Sequence, residues 1–184
     1  MRIGIPLRLP LAATLVLALI LGALGSSAAQ DASPSPTADS IEIFGDVAHP
    51  GTWSLAELKK LPSETVELKY LSDTGEQQHQ HFTGVRLWDV LQLAESPDDP
   101  PDSALTSYLV LRARDGYFVV VSMGEIAPDY GDQPYVLAWQ TDGHALPDEQ
   151  KPLMLVAPGD RTDGRFIYGI VSIEVRGVPA SATS

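Results

Sequence analysis

Two histidines one residue apart, His79 and His81, are the first side chains whose types and spacing could do chemistry. Residues two apart on an extended strand face the same side, so both imidazoles could bind a metal ion such as zinc. Glu76 is the nearest candidate for a third ligand. However, the segment 74–80 is polar and rich in glutamine, which is typical of a solvated hairpin tip between a strand and a helix. We therefore predict a solvated loop here and no metal site.

The common catalytic signatures are absent from the sequence. It contains no GxSxG motif for a serine nucleophile, no zinc-binding HExxH, no phosphate-binding loop and no GxGxxG pattern. It also contains no cysteine. We therefore predict no catalytic residue.

A second group of polar side chains belongs to two predicted loops. The first surrounds the pair Asp115-Gly116, and the second is the long segment PGDRTDGRF. If strands 108–113 and 153–158 lie near each other, these loops converge into a polar pocket. Arginine forks beside an aromatic ring suit a planar heterocycle with amide-like edges, or an anion. A set of surface ion pairs is the alternative. The polar candidates are Arg112, Arg114, Asp115, Tyr117, Asp160, Arg161 and Arg165.

Strand and helix patterns indicate which elements would position these loops. Ser54 followed by Glu57 forms a capping box ahead of the helical pattern LAELKKLP, and VRLWDVLQLAES predicts a second helix. The dense apolar runs predict strands buried on both faces or in a sandwich core. Asp115-Gly116 and Asp142-Gly143 predict hairpin turns, whereas Asp163-Gly164 lies in a loop longer than a hairpin needs. The predicted strands are IEIFGDV, VELKYL, SYLVLRA, YFVVVSM, PYVLAW, PLMLVAP and FIYGIVSIEVR.

The ends of the chain differ in composition from the middle. Arg2 and Arg8 precede an uncharged apolar run that extends to Leu24, and small residues follow up to Ala29. This order predicts a signal peptide over residues 1–29 and export to the periplasm or the extracellular space. The run is shorter than the roughly 20 residues of a spanning helix, so a retained anchor is the alternative. We predict a flexible linker at 30–40, a domain at 41–177 and a disordered tail at 178–184.

The formal net charge of −12 bears on the partners of the protein. An acidic surface repels the phosphates of nucleic acids and of anionic membranes, which argues against nucleic-acid binding. Solubility of an exported protein is a sufficient explanation for the charge.

The order of these elements resembles the molybdopterin-binding domain of sulfite-oxidase-type oxidoreductases from about residue 41 to residue 176. The resemblance implies an α+β fold with a mixed, partly barrel-like β core and short peripheral helices. The segments that carry it are GDVAHPGTWSLAELKKLP, FTGVRLWDVLQLA, YLVLRARDGYFVVVSMGEI, YVLAWQTDGHALPDEQKPLMLVAP and IYGIVSIEVRG.

Several positions depart from the pattern of that family. A family cysteine gives its thiolate to molybdenum from the region that corresponds to residues 70–74, which holds no cysteine here. A family arginine corresponds to Met154, a lysine to Tyr168 and a threonine to a position near Ala113. Arg161 and Arg165 could supply part of the missing positive charge. The molybdenum would lack its protein sulfur and the phosphate would lack cationic partners.

Cysteine-free exported members of this kind resemble pterin-binding proteins, which implies a non-catalytic binding module. We expect a pterin or similar planar ligand between the loops 112–117 and 159–168, including Tyr168, and a membrane-bound sensor as partner. Trp139 would stack on the ligand, with a place in the core as the alternative. The implied cofactor is a pterin or molybdopterin. The rival function is an oxidoreductase that holds a molybdenum cofactor without a cysteine, and a third is a scaffold domain whose pocket has closed.

Overall fold

The computed structural model describes residues 39–95 and 103–178. The predicted signal peptide lies outside the described residues, as do nearly all of the predicted linker and tail. Within the two described ranges, no helix is both long enough and apolar enough to cross a membrane.

One sheet pairs the first and last strands of the domain. Its order is β2-β1-β11-β5-β6, and β1 runs parallel to β11 while the other neighbours are antiparallel, so the sheet is mixed. Asp115-Gly116 connects β5 to β6, with Gly116 at a φ of +90°, as the sequence predicts. The strands are β1 (Ser40–Gly45), β2 (Gly51–Ser54), β5 (Ser107–Ala113), β6 (Phe118–Ser122) and β11 (Ile170–Gly177).

The other sheet is built from the middle of the chain and is antiparallel. Its order is β10-β9-β7-β4-β3, with β8 paired to β7 through the predicted Asp142-Gly143 turn. Asp142 and Gly143, the two central residues of this turn, both have positive φ. Aspartate and glycine are common in hairpin turns that need this conformation. The strands are β3 (Ser63–Leu71), β4 (Gln77–Arg86), β7 (Val136–Thr141), β8 (His144–Ala145), β9 (Met154–Val156) and β10 (Ile167–Tyr168).

The described helices are short and connect the strands. The capping box of α1 is present, because the Ser54 hydroxyl accepts from the backbone N–H of Glu57 and the Glu57 carboxylate accepts from the backbone N–H of Ser54. The helix predicted over 85–96 begins only at Leu87, because β4 continues through Arg86. The structure is mostly β with a few short helices, which is consistent with the expected β core and short peripheral helices. The helices are α1 (Leu55–Leu58), α2 (Leu87–Leu91), α3 (Ser103–Thr106) and α4 (Met123–Ile126).

Two clusters of buried hydrophobic residues pack against the sheets. The larger one combines residues of both sheets, such as Leu109, Ile173, Leu137 and Leu155, and therefore fills the space between them. The smaller one contains Val136, Ala138, Met154 and Val156, which alternate with the residues that face the larger cluster. Strands β7 and β9 are thus buried on both faces, which confirms the prediction from the continuous apolar runs PYVLAW and PLMLVAP.

The polar segment around the two histidines is a strand, which corrects the predicted loop. Gln77 to Val85 pairs with Leu71 to Ser63 in an unbroken antiparallel register, and β7 pairs with the second half of β4. The turn lies earlier, at 72–76, where the backbone N–H of Gly75 donates to the carbonyl of Ser72. Backbone pairing with β3 therefore outweighs the low strand propensity of the glutamines.

Candidate functional site

The two loops expected to form a pocket do contact each other. The Tyr117 hydroxyl donates to the carbonyl of Gly164 at 2.9 Å, and the backbone N–H of Arg114 donates to the carbonyl of Gly169 at 3.0 Å. The side chain of Arg114 also donates to the carbonyl of Lys151 at 3.2 Å. Strands β5 and β9 belong to different sheets. The loops therefore meet through β10 and the start of β11, and not through neighbouring strands.

The side chains of Arg112 and Asp115 in the first loop make local contacts. The guanidinium of Arg112 lies over the ring of Phe118, 5.1 Å from its centroid. The carboxylate of Asp115 accepts from the backbone N–H of Tyr117 at 2.9 Å and closes the turn. Arg161 in the second loop has an exposed side chain, and its carbonyl accepts from the backbone N–H of Leu71. These contacts stabilise the turns of the two loops.

Trp139 lies in the larger hydrophobic cluster, 9% exposed. The Lys59 ammonium lies 5.7 Å from the centroid of its ring. The ring also borders a cavity of about 430 Å³, together with Lys59 and Lys151. The structure thus gives Trp139 the core position that was the alternative to stacking.

Arg165 and Asp160 border a different cavity, of about 530 Å³. Arg165 donates to the two carboxylate oxygens of Asp160 at 2.6 and 2.7 Å and to Glu125 at 3.3 Å. Its guanidinium also lies 5.2 Å from the ring centroid of Tyr135. The hydrogen bonds to Asp160 raise the pKa of Arg165. An arginine held by two carboxylates offers little charge to an anion, so this cavity is a weak phosphate site.

A third cavity, which we call the tyrosine cavity, is bordered by positions where the family resemblance implies cofactor-binding residues. It has a volume of about 270 Å³. Met154 and Tyr168, which correspond to a family arginine and lysine, both border it, and so does Tyr70, from the region that corresponds to the family cysteine. Its lining residues are Tyr70, Gln80, Phe82, Thr141, His144, Ala145, Pro147, Gln150, Met154 and Tyr168.

Of the nine residues expected from the sequence to bind the ligand, only Tyr168 lines the tyrosine cavity. Tyr70, Gln80, Thr141 and Gln150 also line this cavity and are not among the residues that the sequence suggests. Gln80 enters the cavity because successive residues of β4 point to opposite faces. The sequence pattern gives no sign of this, because it predicts a loop for the segment.

The chemistry of the tyrosine cavity is neutral hydrogen bonding near acidic groups. The Tyr70 hydroxyl donates to the side-chain carbonyl of Gln80 at 2.5 Å. Burial raises the pKa of Tyr70 to about 12, and nearby Asp163 and Asp142 contribute to this shift. Burial also raises the pKa of Tyr168, with contributions from Asp163 and Asp73. Both phenols therefore keep their protons at neutral pH, in a region of negative potential.

The donor set of the tyrosine cavity does not fit a complete molybdenum cofactor. Among the described residues that line it, none is a lysine, an arginine or a cysteine. A phosphate would meet the negative potential of the neighbouring aspartates without a cationic partner, and a molybdenum ion would meet no thiolate. A neutral heterocycle with amide-like edges fits better, because tyrosines, glutamines and a threonine supply both donors and acceptors.

The opposite face of the same hairpin carries a separate group of side chains. Glu67, His79 and His81 are about half exposed, and one potential ligand atom from each lies within 4.8 Å of the others. Glu67 lies across the strand pair from His81. The third potential ligand of this group is therefore Glu67 and not Glu76, the candidate that the sequence order suggests.

Both the sequence and the fold are similar to those of known proteins. Residues 30–175 match the family described as "Oxidoreductase molybdopterin binding domain". The fold is similar to that in the crystal structure of the sulfane dehydrogenase SoxCD from Paracoccus pantotrophus, with a TM-score of 0.62 and 18% sequence identity. The similarity covers 77% of this chain and 39% of that chain. No curated protein matches the sequence.

Proposed function

Because the chain belongs to the oxidoreductase molybdopterin-binding domain family, we propose that it is an exported, non-catalytic binding module that holds a pterin or a similar planar heterocycle. The tyrosine cavity is the binding site. Export rests on the apolar segment that follows Arg2 and Arg8. We also propose that the module reports ligand occupancy to a membrane-bound sensor.

The observation that carries this proposal is the replacement of the cofactor-binding chemistry at positions that still line one cavity. Met154 and Tyr168 stand where the resemblance expects cations, and the chain has no cysteine for a metal. The cavity has nevertheless stayed open, with a volume of about 270 Å³. The aromatic ring of Tyr168 offers stacking, and Gln80 and Gln150 offer amide groups that match the edges of a pterin.

Pterin fluorescence tests this proposal. Unsubstituted pterin is titrated into the protein, and its quenching gives a dissociation constant. We expect Tyr168→Ala and Gln150→Ala each to weaken binding about fivefold, since one lost hydrogen bond or stacking contact costs about 1 kcal/mol. Arg112→Ala is the control, because this exposed arginine lies over Phe118 and does not line the cavity. Equal pterin affinities in the parent and both cavity variants would contradict the site.

The second candidate function is an oxidoreductase that binds a molybdenum cofactor through its dithiolene alone, and family membership favours it. Metal analysis of the protein purified from its exported compartment distinguishes the two functions. Stoichiometric molybdenum would overturn the binding-module proposal. A released pterin without molybdenum supports it. If the protein contains neither and added pterin causes no thermal shift, the scaffold function is favoured, because ligand at 100 times its dissociation constant stabilises by about 2.7 kcal/mol.

A further inference from the structure

The outer face of the β3–β4 hairpin brings three potential metal ligands together from two strands. His79 and His81 are two residues apart on β4, so their side chains leave the sheet on the same side. Glu67 pairs directly with His81, and Lys69 pairs with His79. The strand register, and not the order along the chain, creates this group. It lies on the face of β4 opposite to Gln80, and therefore outside the tyrosine cavity.

The atoms that would bind a metal already face one another. The Nε2 atom of His79 lies 2.5 Å from one carboxylate oxygen of Glu67. The Nε2 atom of His81 lies 4.0 Å from the other oxygen. The two imidazole rings are 5.7 Å apart between centroids. Zinc bonds of about 2.0–2.1 Å need ligand atoms roughly 3.3 Å apart, and half-exposed side chains can adjust to that spacing by small rotations.

Asp142 provides the second observation that points to a metal. Its carboxylate accepts from the backbone N–H of His81 at 2.8 Å and lies 3.3 Å from the Nδ1 atom of the same residue. The backbone N–H of Asp142 in turn donates to the carbonyl of His81. An Nδ1–H donated to Asp142 leaves Nε2 as the lone-pair nitrogen, on the side of Glu67. A carboxylate that orients the second nitrogen in this way is characteristic of metal-binding histidines.

The donor set selects the class of metal. Two imidazole nitrogens and one carboxylate oxygen suit zinc, copper and nickel, whereas magnesium and calcium prefer sites made of oxygen ligands. Three protein ligands also leave a fourth tetrahedral position for water. We propose that Glu67, His79 and His81 bind one divalent transition-metal ion of the zinc class, with Asp142 as a positioning residue. This site is independent of the pterin proposal.

Isothermal titration of chelator-treated full-length protein with Zn²⁺ tests the site. We expect one bound ion per chain. His79→Ala and His81→Ala should each weaken zinc binding at least tenfold, and Glu67→Gln should also weaken it. His49→Ala is the matched control, because this exposed histidine pairs with Glu95 and belongs to the connection between β1 and β2 and not to the hairpin. Its zinc affinity should equal that of the parent.

The role of Asp142 has its own measurement. Asp142→Asn should keep the stoichiometry at one ion but lower the zinc affinity about 10- to 100-fold, the range found for groups that hydrogen-bond the second nitrogen of metal-bound histidines. Imidazole NMR signals of His79 and His81 should shift on addition of Zn²⁺ in the parent and return with a chelator. Absence of zinc binding at about 1 mM, or equal binding in His79→Ala, His81→Ala and the parent, would overturn the proposal.

Discussion

At the scale of single residues, the guanidinium of Arg165 joins three separate segments. It contacts Asp160 in the long loop, Glu125 in α4 and the ring of Tyr135 ahead of β7. Charged hydrogen bonds contribute more than neutral ones, and two of these form a planar fork with one carboxylate. Arg165 therefore fixes the long loop against the body of the domain, and this structural role explains why an arginine stands there without a ligand.

Replacement of Arg165 should destabilise the protein. We expect Arg165→Ala to lower the free energy of unfolding by about 1–2 kcal/mol, a value reduced for the partial exposure of the pair. Arg161→Ala, in the same loop but with an exposed side chain, should change it by less than about 0.5 kcal/mol. Denaturant unfolding of the three proteins measures this difference. Equal stabilities of the two variants would show that the contacts of Arg165 do not hold the loop.

At the scale of elements, strand β4 determines where the site can form. Its start could not be predicted from local pattern, because Gln77 to Gln80 are polar and their pairing with β3 is a tertiary property. The capping box at Ser54 and the hairpin turns at 115–116 and 142–143 were predictable, because each depends on residues close together in sequence. The cavity residues come from separate strands, so no local signal could assemble them.

Gly84 lies where the backbones of β4 and β7 approach each other closely. The pairing register shifts between Thr83 and Gly84, and a methyl group added at Gly84 would overlap the carbonyl oxygen of Leu137 and the Cα of Ala138. Both obstacles are backbone atoms in a sheet, which cannot move without breaking the ladder. Glycine is required here for space, since its φ is not positive.

We therefore expect Gly84→Ala to destabilise the protein by about 3 kcal/mol, at the upper end of overpacking costs. Gly164→Ala is the control, because its added methyl group would make only an ordinary contact with the Thr162 hydroxyl and its φ is not positive either. Thermal unfolding compares the two variants. Similar melting temperatures would mean that β4 and β7 can separate locally at little cost.

At the scale of the whole molecule, each hydrophobic cluster contains one buried tyrosine whose pKa burial raises. Tyr135 belongs to the larger cluster and Tyr70 to the smaller one, and the pKa of each is raised from 10.0 to about 12. The presence of buried strands was predictable from apolar runs. The division into two clusters was not, because it depends on which face of β7 and β9 meets which neighbour.

The raised pKa values predict how stability depends on alkaline pH. Above pH 10 the unfolded chain releases phenolic protons that the native protein retains, so stability present below pH 10 is lost as the pH rises towards 12. Each pKa unit corresponds to about 1.4 kcal/mol. Unfolding free energies at pH 9, 10 and 11 should fall in this order, and Tyr70→Phe and Tyr135→Phe should each flatten the decline. A decline in both variants that is as steep as in the parent protein would contradict this origin.

The alternation along β4 has a consequence for how this protein tolerates change in length. Gln80 and Phe82 border the tyrosine cavity, while His79 and His81 lie on the outer face. A single residue inserted between His81 and Phe82 would exchange the faces of the strand residues before it, turning the imidazoles of His79 and His81 inward and the amide of Gln80 outward. The same insertion in the 72–76 turn would leave both faces intact. Insertions at the tip of this hairpin are therefore compatible with both faces, whereas insertions within the strand preserve the faces only when they add residues in pairs.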